Sequence, residues 1–401
     1  MGEDGMSEWK KMKLGELYEV HNGLSKGRQF FGKGFPFLTF SNVFNNWFLP
    51  EKLDSLVQTT EKEREVCSIK AADVFITRTS ETMDELGMSS VALKDYPNAT
   101  YNGFTKRLRP ITDRVNPRFI GYYLRTPKFR GQFMAFSTMT TRASLANNDL
   151  LNMIVEIPPK ESQHLISTIL SRYDSLIENY QKQIKLLEEA AQRLYKEWLV
   201  DLRFPGYENT PVVDGVPEGW EKKKLEDFAD IVMGTSPKSE FYNSEQNGLP
   251  FHQGVGSYGV RFVEDNIYSS CITRIAEPNS ILFSVRAPVG RLNITKNKII
   301  IGRGLAAINH KFGFQSFLYY LLKSRFFKDN IIGNGSIFAS ISKDELLNQE
   351  FIVPHRDIVM QLERYLKKLD TKLADCDSQI RLLTEARDRL LPKLMSGEIE
   401  V

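Results

Sequence analysis

The sequence lacks long hydrophobic runs and has little metal-binding or redox chemistry. No stretch approaches the roughly 18 apolar residues of a membrane-spanning helix, and no opening segment combines a basic start, an apolar run and a small-residue cleavage site. We therefore expect a cytoplasmic protein. The 3 cysteines, Cys67, Cys271 and Cys376, lie far apart with no partner at metal-ligand spacing. This pattern predicts free thiols and no metal site.

Catalytic motifs are missing as well. The sequence has no Gly-Lys-Ser/Thr phosphate loop, no Asn-Pro-Pro-aromatic tetrapeptide of an amino-methyltransferase and no clustered Asp, Glu and Lys of a nuclease. Gly254 to Gly259 fits a dinucleotide-binding glycine pattern, but Val260 to Val263 is strand-like where that site requires a helix. We interpret these glycines as a tight turn, and we predict no catalytic residue and no cofactor in this chain.

The composition indicates a globular protein with little excess charge. With 41% hydrophobic and 26% charged residues the chain lies outside the disordered class, and its 401 residues are enough for two or more packed domains. The net charge is only +3. A nucleic-acid partner would therefore have to be held by basic residues concentrated on particular faces.

The chain contains two copies of one pattern. The offset between the copies shrinks from 211 at Trp9 and Trp220 to 196 at Pro158 and Pro354, and it then stays constant. Each copy therefore consists of a variable part followed by a part in fixed register. Matching positions are Gly23 and Gly234, Ser25 and Ser236, Phe37 and Phe251, Tyr122 and Tyr320, and Leu150 and Leu346.

The fixed part predicts a long amphipathic helix in each copy. Apolar residues recur every three or four positions from Ile166 to Trp198 and again from Leu362 to Leu394. About 40 residues at about 1.5 Å each predict a rod of roughly 60 Å. The simplest partner for each stripe is the other helix, in an antiparallel pair with a pseudo-twofold axis. The predicted stripe of the first helix continues from Ile166 through Ile169, Tyr173, Leu176, Tyr180, Ile184, Leu187, Ala191, Leu194 and Trp198.

The variable parts mix short β-rich runs with helical patches and predict one α/β domain per copy. The predicted fold class is α+β, with two α/β domains in tandem repeat separated by two long antiparallel coiled-coil helices. Pro158 and Pro354 mark helix starts, and Phe204-Pro205-Gly206 and Ser396-Gly397 supply stops. The predicted segments are a first domain at 1–158, a central helix at 159–203, a linker at 204–219, a second domain at 220–354 and a C-terminal helix at 355–401.

Loops in the variable parts are rich in side chains that bind nucleic acid. Arg can fork onto guanine and Gln or Asn onto adenine, while Lys and Ser more often hold phosphates. Any single such residue is more often only solvated, so the prediction concerns the group. The candidate DNA contacts are Lys26, Arg28, Asn42, Arg78, Thr79, Lys106 and Arg142 in the first copy, and Lys238, His252, Gln253, Tyr258, Arg261, Arg286 and Arg303 in the second.

Several segments carry a family resemblance: Trp9 to Ser25, Trp220 to Pro237, Leu194 to Trp198 with Phe204 to Gly206, Val216 to Trp220, and Leu390 to Glu398. In this order and spacing they resemble the specificity subunits of type I restriction-modification systems. The resemblance covers nearly the whole chain. It implies a non-catalytic subunit whose two target-recognition domains each read one half of a split DNA site. Because the two domains differ in sequence, we expect an asymmetric target.

The resemblance also implies partner subunits. Two modification subunits would dock on the helices and supply S-adenosylmethionine and adenine methylation, and restriction subunits would add translocation and cleavage with ATP and Mg. Two alternatives stay open. A DNA-independent coiled-coil scaffold would show no salt-sensitive duplex binding, and a self-contained methyltransferase or nuclease would bind its own cofactor.

Overall fold

The computed structural model describes residues 9–80, 86–136, 143–326 and 340–401, with the backbone alone at 79–80, 134–136 and 143–144. The chain divides into two compact units. The first unit is Met1–Tyr180 with Gln379–Val401, and the second is Gln181–Ser378. The units follow spatial contacts and therefore cut through both long helices. The predicted segment bounds follow the order of the chain, and they stay a prediction.

The first unit combines short strands with short helices ahead of a long one. Its strands are β1 (Lys10–Lys13), β2 (Tyr18–Asn22), β3 (Phe31–Leu38), β4 (Leu56–Val57), β5 (Val74–Thr77), β6 (Thr79–Ser80), β7 (Ser89–Val91), β8 (Thr100–Tyr101), β9 (Thr105–Pro110), β10 (Ala143–Ser144) and β11 (Ile154–Ile157). Its helices are α1 (Phe40–Asn45), α2 (Glu61–Val66), α3 (Pro117–Tyr123), α4 (Pro127–Phe136), α5 (Asn147–Asn152) and the start of α6 (Lys160–Leu199).

An antiparallel sheet in the order β2-β9-β5-β7 forms the centre of this unit. Leu108 of β9 pairs with Val20 on one side and Val74 on the other, and both Leu108 and Val74 are fully buried. The same core includes Phe119 of α3 and Leu170 of α6. Beside it lie the β4-β3-β8 sheet, in which β3 and β8 are parallel, and the β1-β11 pair.

The second unit contains the same kinds of element. Its strands are β12 (Val212–Val213), β13 (Val216–Pro217), β14 (Glu221–Lys224), β15 (Ala229–Met233), β16 (Tyr242–Asn243), β17 (Leu249–His252), β18 (Tyr268–Ser269), β19 (Ile275–Ala276), β20 (Ile281–Ser284), β21 (Leu292–Ile294), β22 (Ile299–Ile301), β23 (Leu305–His310) and β24 (Glu350–Val353). Its helices are α7 (Leu225–Phe228), α8 (Gln315–Phe326), α9 (Lys343–Leu347) and most of α10 (Arg356–Ser396).

The strand order of the first unit recurs in the second. Its central antiparallel sheet runs β15-β23-β20-β21, β14 pairs with β24, and β17 lies parallel to β22. Ile281, Ile308 and Phe317 are fully buried in its core. The repeat of two mixed α/β domains, predicted from the matching residues, is therefore confirmed.

The two long helices pack antiparallel within each unit. In the first unit, Arg387 of α10 is 2.7 Å from Asp174 of α6, while Ser162 near the start of α6 is 3.5 Å from the Val401 carbonyl. In the second unit, Gln183 contacts Cys376 and the ring of Trp198 contacts that of Tyr365. The predicted antiparallel pairing is confirmed in both units.

The buried stripe of α6 recurs every seven residues, at Leu170, Ile177, Ile184, Ala191 and Trp198. The predicted stripe is correct at its second half but wrong at Leu176, which is 46% exposed. A three-or-four spacing fits either of two adjacent rows of a helix, and neighbouring elements decide between them.

Of the two long helices, α10 ends at its predicted stop and α6 ends before its predicted stop. Helix α6 ends at Leu199, ahead of the predicted Phe204-Pro205-Gly206 stop, and Leu202 then adopts a left-handed conformation with φ 59°. Helix α10 ends as predicted at Ser396, followed by Gly397 with φ 77°.

Candidate DNA interface

In the second unit, three chain segments meet where β15, β17 and β22 end. The Gly302 amide donates to the His252 carbonyl at 2.8 Å, and the Thr235 amide donates to the Ile301 carbonyl at 2.9 Å. Glycine is required here because a Cβ on Gly234 would lie 2.1 Å from the Gly302 carbonyl oxygen. We call this convergence, formed by residues 234–236, 253–254 and 302–304, the second junction.

The second junction displays an amide and a guanidinium. Ser236 Oγ donates to Gln253 Oε1 at 2.9 Å, and the Arg303 amide donates to Ser236 Oγ at 3.1 Å. Gln253 and Arg303 are both exposed. Lys238, two residues after Ser236, has a side chain that is 82% exposed. A carboxamide and a guanidinium held on neighbouring segments provide the donor and acceptor patterns that match base edges.

A buried histidine precedes Gln253 and braces the adjacent turn. His252 is 1% exposed, with Nδ1 2.8 Å from Ser257 Oγ and Nε2 3.0 Å from Asp265 Oδ1. Burial alone would raise the pKa of Asp265, but hydrogen bonds from His252 and Asn297 outweigh it and hold that pKa below its usual range. His252 therefore positions the turn from within the domain, which corrects its prediction as a DNA contact.

The first unit has a matching convergence. The Leu24 amide donates to the Tyr101 carbonyl at 2.8 Å, and the Asn102 amide donates to the Leu38 carbonyl at 3.0 Å. A Cβ on Gly23 would lie 2.1 Å from the Asn102 carbonyl oxygen, the same close approach as at Gly234. We call residues 23–25, 39 and 102–103 the first junction.

The side chains of the first junction are used differently. Thr39, which stands where the second copy has Gln253, caps helix α1: its Oγ1 accepts from the Asn42 amide at 3.1 Å. Asn42 Oδ1 in turn accepts from the Thr39 amide at 3.1 Å. The side-chain oxygen of Asn42, a predicted DNA contact, therefore already accepts a hydrogen bond from within the chain.

Lys26 and Arg28 follow the first junction and differ in exposure. Lys26 Nζ lies 2.8 Å from Glu63 Oε2 and 2.9 Å from the Gln58 carbonyl oxygen, and the Lys26 side chain is 14% exposed. The Lys26 hydrogen bond lowers the pKa of Glu63. Arg28 is exposed in a short turn between β2 and β3. Of these two candidates, Arg28 presents the more accessible cation.

Of the remaining first-copy candidates, Lys106 and Arg78 lie in or beside the central sheet. Lys106 is 3% exposed and donates to Asn147; burial lowers its pKa, and the charge of Arg78 lowers it further. This buried position corrects the prediction of Lys106 as a loop contact. Arg78 is half-buried. The side chain of Thr79 and the whole of Arg142 lie outside the described residues.

Three second-copy candidates remain. Arg261 is 1% exposed and binds Glu188 and Asp370 of the long helices. It is therefore not the exposed loop cation that was predicted. Tyr258 is half-buried and packs beside the core, and burial raises the pKa of its hydroxyl. Arg286 is exposed at the end of β20.

The structure thus joins Gln253, Arg303 and Ser236, which are distant in sequence. Sequence reasoning missed the supporting residues Thr39, Asn102, Asp265 and Asn297. The paired glycines at 23 and 234 were a signal for the junctions, because they stand at equivalent places in both copies. Nothing local in the sequence marks Asp265 or Asn297 as partners of a histidine.

The protein-family model described as the type I restriction modification DNA specificity domain matches residues 6–189 and 217–381 of this chain. The chain belongs to this family. The two matched stretches of this specificity-family chain each contain one junction and one part of the long helices.

Relatives of this specificity-family chain match along most of its length. The putative type I restriction enzyme MjaX specificity subunit of Methanocaldococcus jannaschii is 27% identical, covering 98% of this chain and 94% of the relative. The HindI specificity subunit of Haemophilus influenzae is 24% identical, covering 98% and 100%. The crystal structure of the type I S subunit from M. genitalium has a TM-score of 0.59 at 15% identity, covering 98% of both chains, and so shares the fold.

Among the helices that the structure describes, none combines the length and the apolar character of a membrane-spanning segment. No group of three or more His, Cys, Asp and Glu side chains in the described ranges has metal-binding geometry.

Proposed function

We propose that this chain is the sequence-specific DNA-binding subunit of a type I restriction-modification enzyme and that it reads a bipartite, asymmetric DNA site. The repeated junction is the observation that carries the proposal. In both units a glycine allows three segments to converge at the same place in the fold, while the side chains differ: Thr39 in one, Gln253 in the other. One design with two chemistries suits two half-sites of different sequence.

Binding by phosphate contact fits the exposed cations near the junctions. Arg28 lies close in sequence to the first junction, and Lys238 and Arg303 belong to or follow segments of the second. Such side chains orient a protein on the duplex, while an amide such as that of Gln253 distinguishes bases. The net charge of +3 then suffices because the cations are local.

We further propose that α6 and α10 set the gap between the half-sites. The helices contain 40 and 41 residues, and at about 1.5 Å per residue each is roughly 60 Å long. A paired rod resists bending better than a single helix, so it suits a fixed spacing.

The partners follow from the same proposal. Two modification subunits would bind the helical regions and supply S-adenosylmethionine for adenine methylation, and restriction subunits would supply ATP- and Mg-dependent translocation and cleavage. This chain would direct those reactions in the cytoplasm without catalysing them. The names of its relatives, which are specificity subunits of type I restriction enzymes, support this division of labour.

The test is the methylated-adenine motif in DNA from cells that express the chain with its cognate modification subunit. We expect a split motif with a fixed unspecified gap, which disappears when this chain is omitted. The variant Gln253→Ala/Arg303→Ala should alter one half of the motif and leave the other half and the gap unchanged. Lys343→Ala removes an exposed cation from α9 and serves as the matched control.

Three results would contradict the proposal. Methylation that does not depend on this chain would exclude a specificity role, and duplex binding by the assembled complex that ignores salt would favour a DNA-independent scaffold. Saturable S-adenosylmethionine binding by the isolated chain would instead indicate a self-contained methyltransferase.

A further inference from the structure

The backbone of Arg261 is hydrogen-bonded to a strand of the second recognition domain, and its side chain contacts both long helices. The Ile294 amide of β21 donates to the Arg261 carbonyl at 3.0 Å, and the Val263 amide donates to the Ile294 carbonyl at 3.1 Å. The next residue, Phe262, is buried in the core. The backbone of Arg261 is therefore fixed to a strand of the domain.

The guanidinium of Arg261 reaches both long helices. One nitrogen lies 2.6 Å from Asp370 Oδ1 of α10, and another lies 3.2 Å from Glu188 Oε1 of α6. The guanidinium carbon is 3.4 Å from the centre of the Tyr319 ring. The planar group is thus held by two carboxylates and one aromatic face, and its side chain is 1% exposed.

A second cation makes a parallel connection. Lys296, two residues after β21, pairs with Asp377 of α10 and lies 4.5 Å from the centre of the Phe262 ring. Asp370 and Asp377 are one heptad apart, so they share a face of α10. Two cations of the recognition domain are therefore bound to one face of this helix.

These ion pairs restrain the orientation of the second recognition domain on the helices more strongly than buried apolar contacts would. Apolar contacts tolerate sliding, whereas a buried guanidinium that moves away from its carboxylates leaves uncompensated charge. Charge-assisted hydrogen bonds are also directional. Any rotation of the domain on the helices would stretch the bonds to Asp370 and Glu188.

The first unit uses the equivalent carboxylate in another way. Asp174, which matches Asp370 at the constant offset of the copies, takes its cation from Arg387 of α10 at 2.7 Å. That ion pair joins helix to helix. Arg387 is therefore a matched control for Arg261.

We propose that Arg261 is a positioning residue that fixes the orientation of the second recognition domain on the helix pair and so makes the complex selective for one gap length. The inference rests on the proposed reading of a split site. It assigns Arg261 no contact with DNA, and it separates the recognition of bases from the recognition of spacing.

The experiment uses the full chain assembled with its modification subunits. Methylation rates are measured on duplexes that carry both half-sites with the native gap, or with a gap one base pair shorter or longer. For Arg261→Met we expect unchanged half-site sequences and a loss of gap discrimination by about tenfold, the size of one mismatched base pair. Arg261→Lys keeps the charge but cannot fork, and it should lie between the parent and Arg261→Met.

Arg387→Met is the control, because it removes a partly buried ion pair between the helices; its gap discrimination should stay at the parent value. The inference is overturned if Arg261→Lys, which retains the buried charge and hence the fold, discriminates gaps as sharply as the parent. It is also overturned if Arg387→Met loses discrimination equally, or if either Arg261 variant changes a half-site. A parent chain that directs no methylation of a split site would contradict the proposed function itself.

Discussion

The two units repeat one contact and complete it differently. In the first unit Tyr122 donates to Asp174, and in the second Tyr320 donates to Asp370 at 3.4 Å. The cation beside Asp174 comes from a long helix, Arg387, whereas the cation beside Asp370 comes from the recognition domain. The fold of a repeat can therefore persist while its polar contacts are reassigned, because strand order and core shape depend on apolar periodicity that many sequences satisfy.

The junctions show the same separation of fold from chemistry. Both need a glycine at equivalent positions, Gly23 and Gly234, to let the segments approach. The side chain displayed next to that glycine contact differs, since Thr39 caps a helix and Gln253 faces solvent. Variation at this position therefore changes the surface without disturbing the backbone beneath it.

The largest effect on stability should come from removing the carboxylate that both units place beside a cation, Asp174 in the first unit and Asp370 in the second. Lys323 Nζ lies 2.9 Å from Glu188 Oε2. Asp370→Ala therefore leaves Arg261 and Lys323 to share Glu188 in a buried site, and we expect a loss of about 3–5 kcal/mol of stability. Asp174→Ala leaves Arg387 bound to Asp388 at 2.8 Å, so we expect a loss of roughly 1–2 kcal/mol. Chemical denaturation of the two variants beside the parent measures both values.

The corresponding asparagine variants control for shape. Asp370→Asn keeps the hydrogen-bond acceptor and should differ from Asp370→Ala by the cost of lost packing and hydrogen bonding. Equal losses for the two alanine variants would contradict the view that the second unit depends more strongly on its carboxylate.

A smaller difference should appear in acid. His310 in β23 stands where the first copy has Pro110. Each of these residues pairs with the first strand of its own central sheet, β15 for His310 and β2 for Pro110. Burial among the rings of Phe228, Phe314 and Phe317 lowers the pKa of His310 to about 4. Its Nδ1 also accepts from the Phe312 amide at 3.1 Å, which requires the neutral ring.

The sign of this effect follows from proton binding. The unfolded chain takes up a proton near pH 6.5 and the folded unit only near pH 4, so the stability from neutral His310 is full above pH 6.5 and is lost as the pH falls toward 4. Between pH 7.5 and 5 we expect a loss of about 2 kcal/mol from this group. His310→Phe should remove that part of the pH dependence when urea unfolding is compared at the two pH values; an unchanged slope would assign the acid sensitivity to carboxylates.

Much of the fold was predictable because it rests on periodic apolar residues. The seven-residue recurrence of Leu170, Ile177 and Ile184 lies within the predicted helix, and the offset of the copies predicted the repeat of two α/β domains. Leu176 was placed wrongly because two adjacent helix rows fit the same spacing. The choice between them is made by neighbours far away in the chain.

The chemistry of the candidate site was less predictable, because residue type does not report exposure. Arg261, Lys106 and His252 have side chains suited to DNA, yet each is buried by partners distant in sequence, such as Asp370, Asn147 and Asp265. A buried cation and an exposed one look alike in a loop sequence. Gln253 and Arg303 differ from them only by what the fold leaves uncovered.

Two alanine variants at equivalent positions of the junctions should have the smallest effects on stability. They also test directly whether the two junctions use this position differently. Thr39→Ala removes the cap of α1 and should cost about 1 kcal/mol of stability, with no loss of the bases read by its unit. Gln253→Ala touches an exposed side chain and should change stability by less than about 0.5 kcal/mol, while relaxing one base of one half-site by about 1–3 kcal/mol of discrimination. Urea denaturation and the methylated motif are measured for both variants. A Thr39→Ala variant that alters its half-site as strongly as Gln253→Ala alters the other would mean that both junctions read bases through this position, so that the capping of α1 would not be its main role.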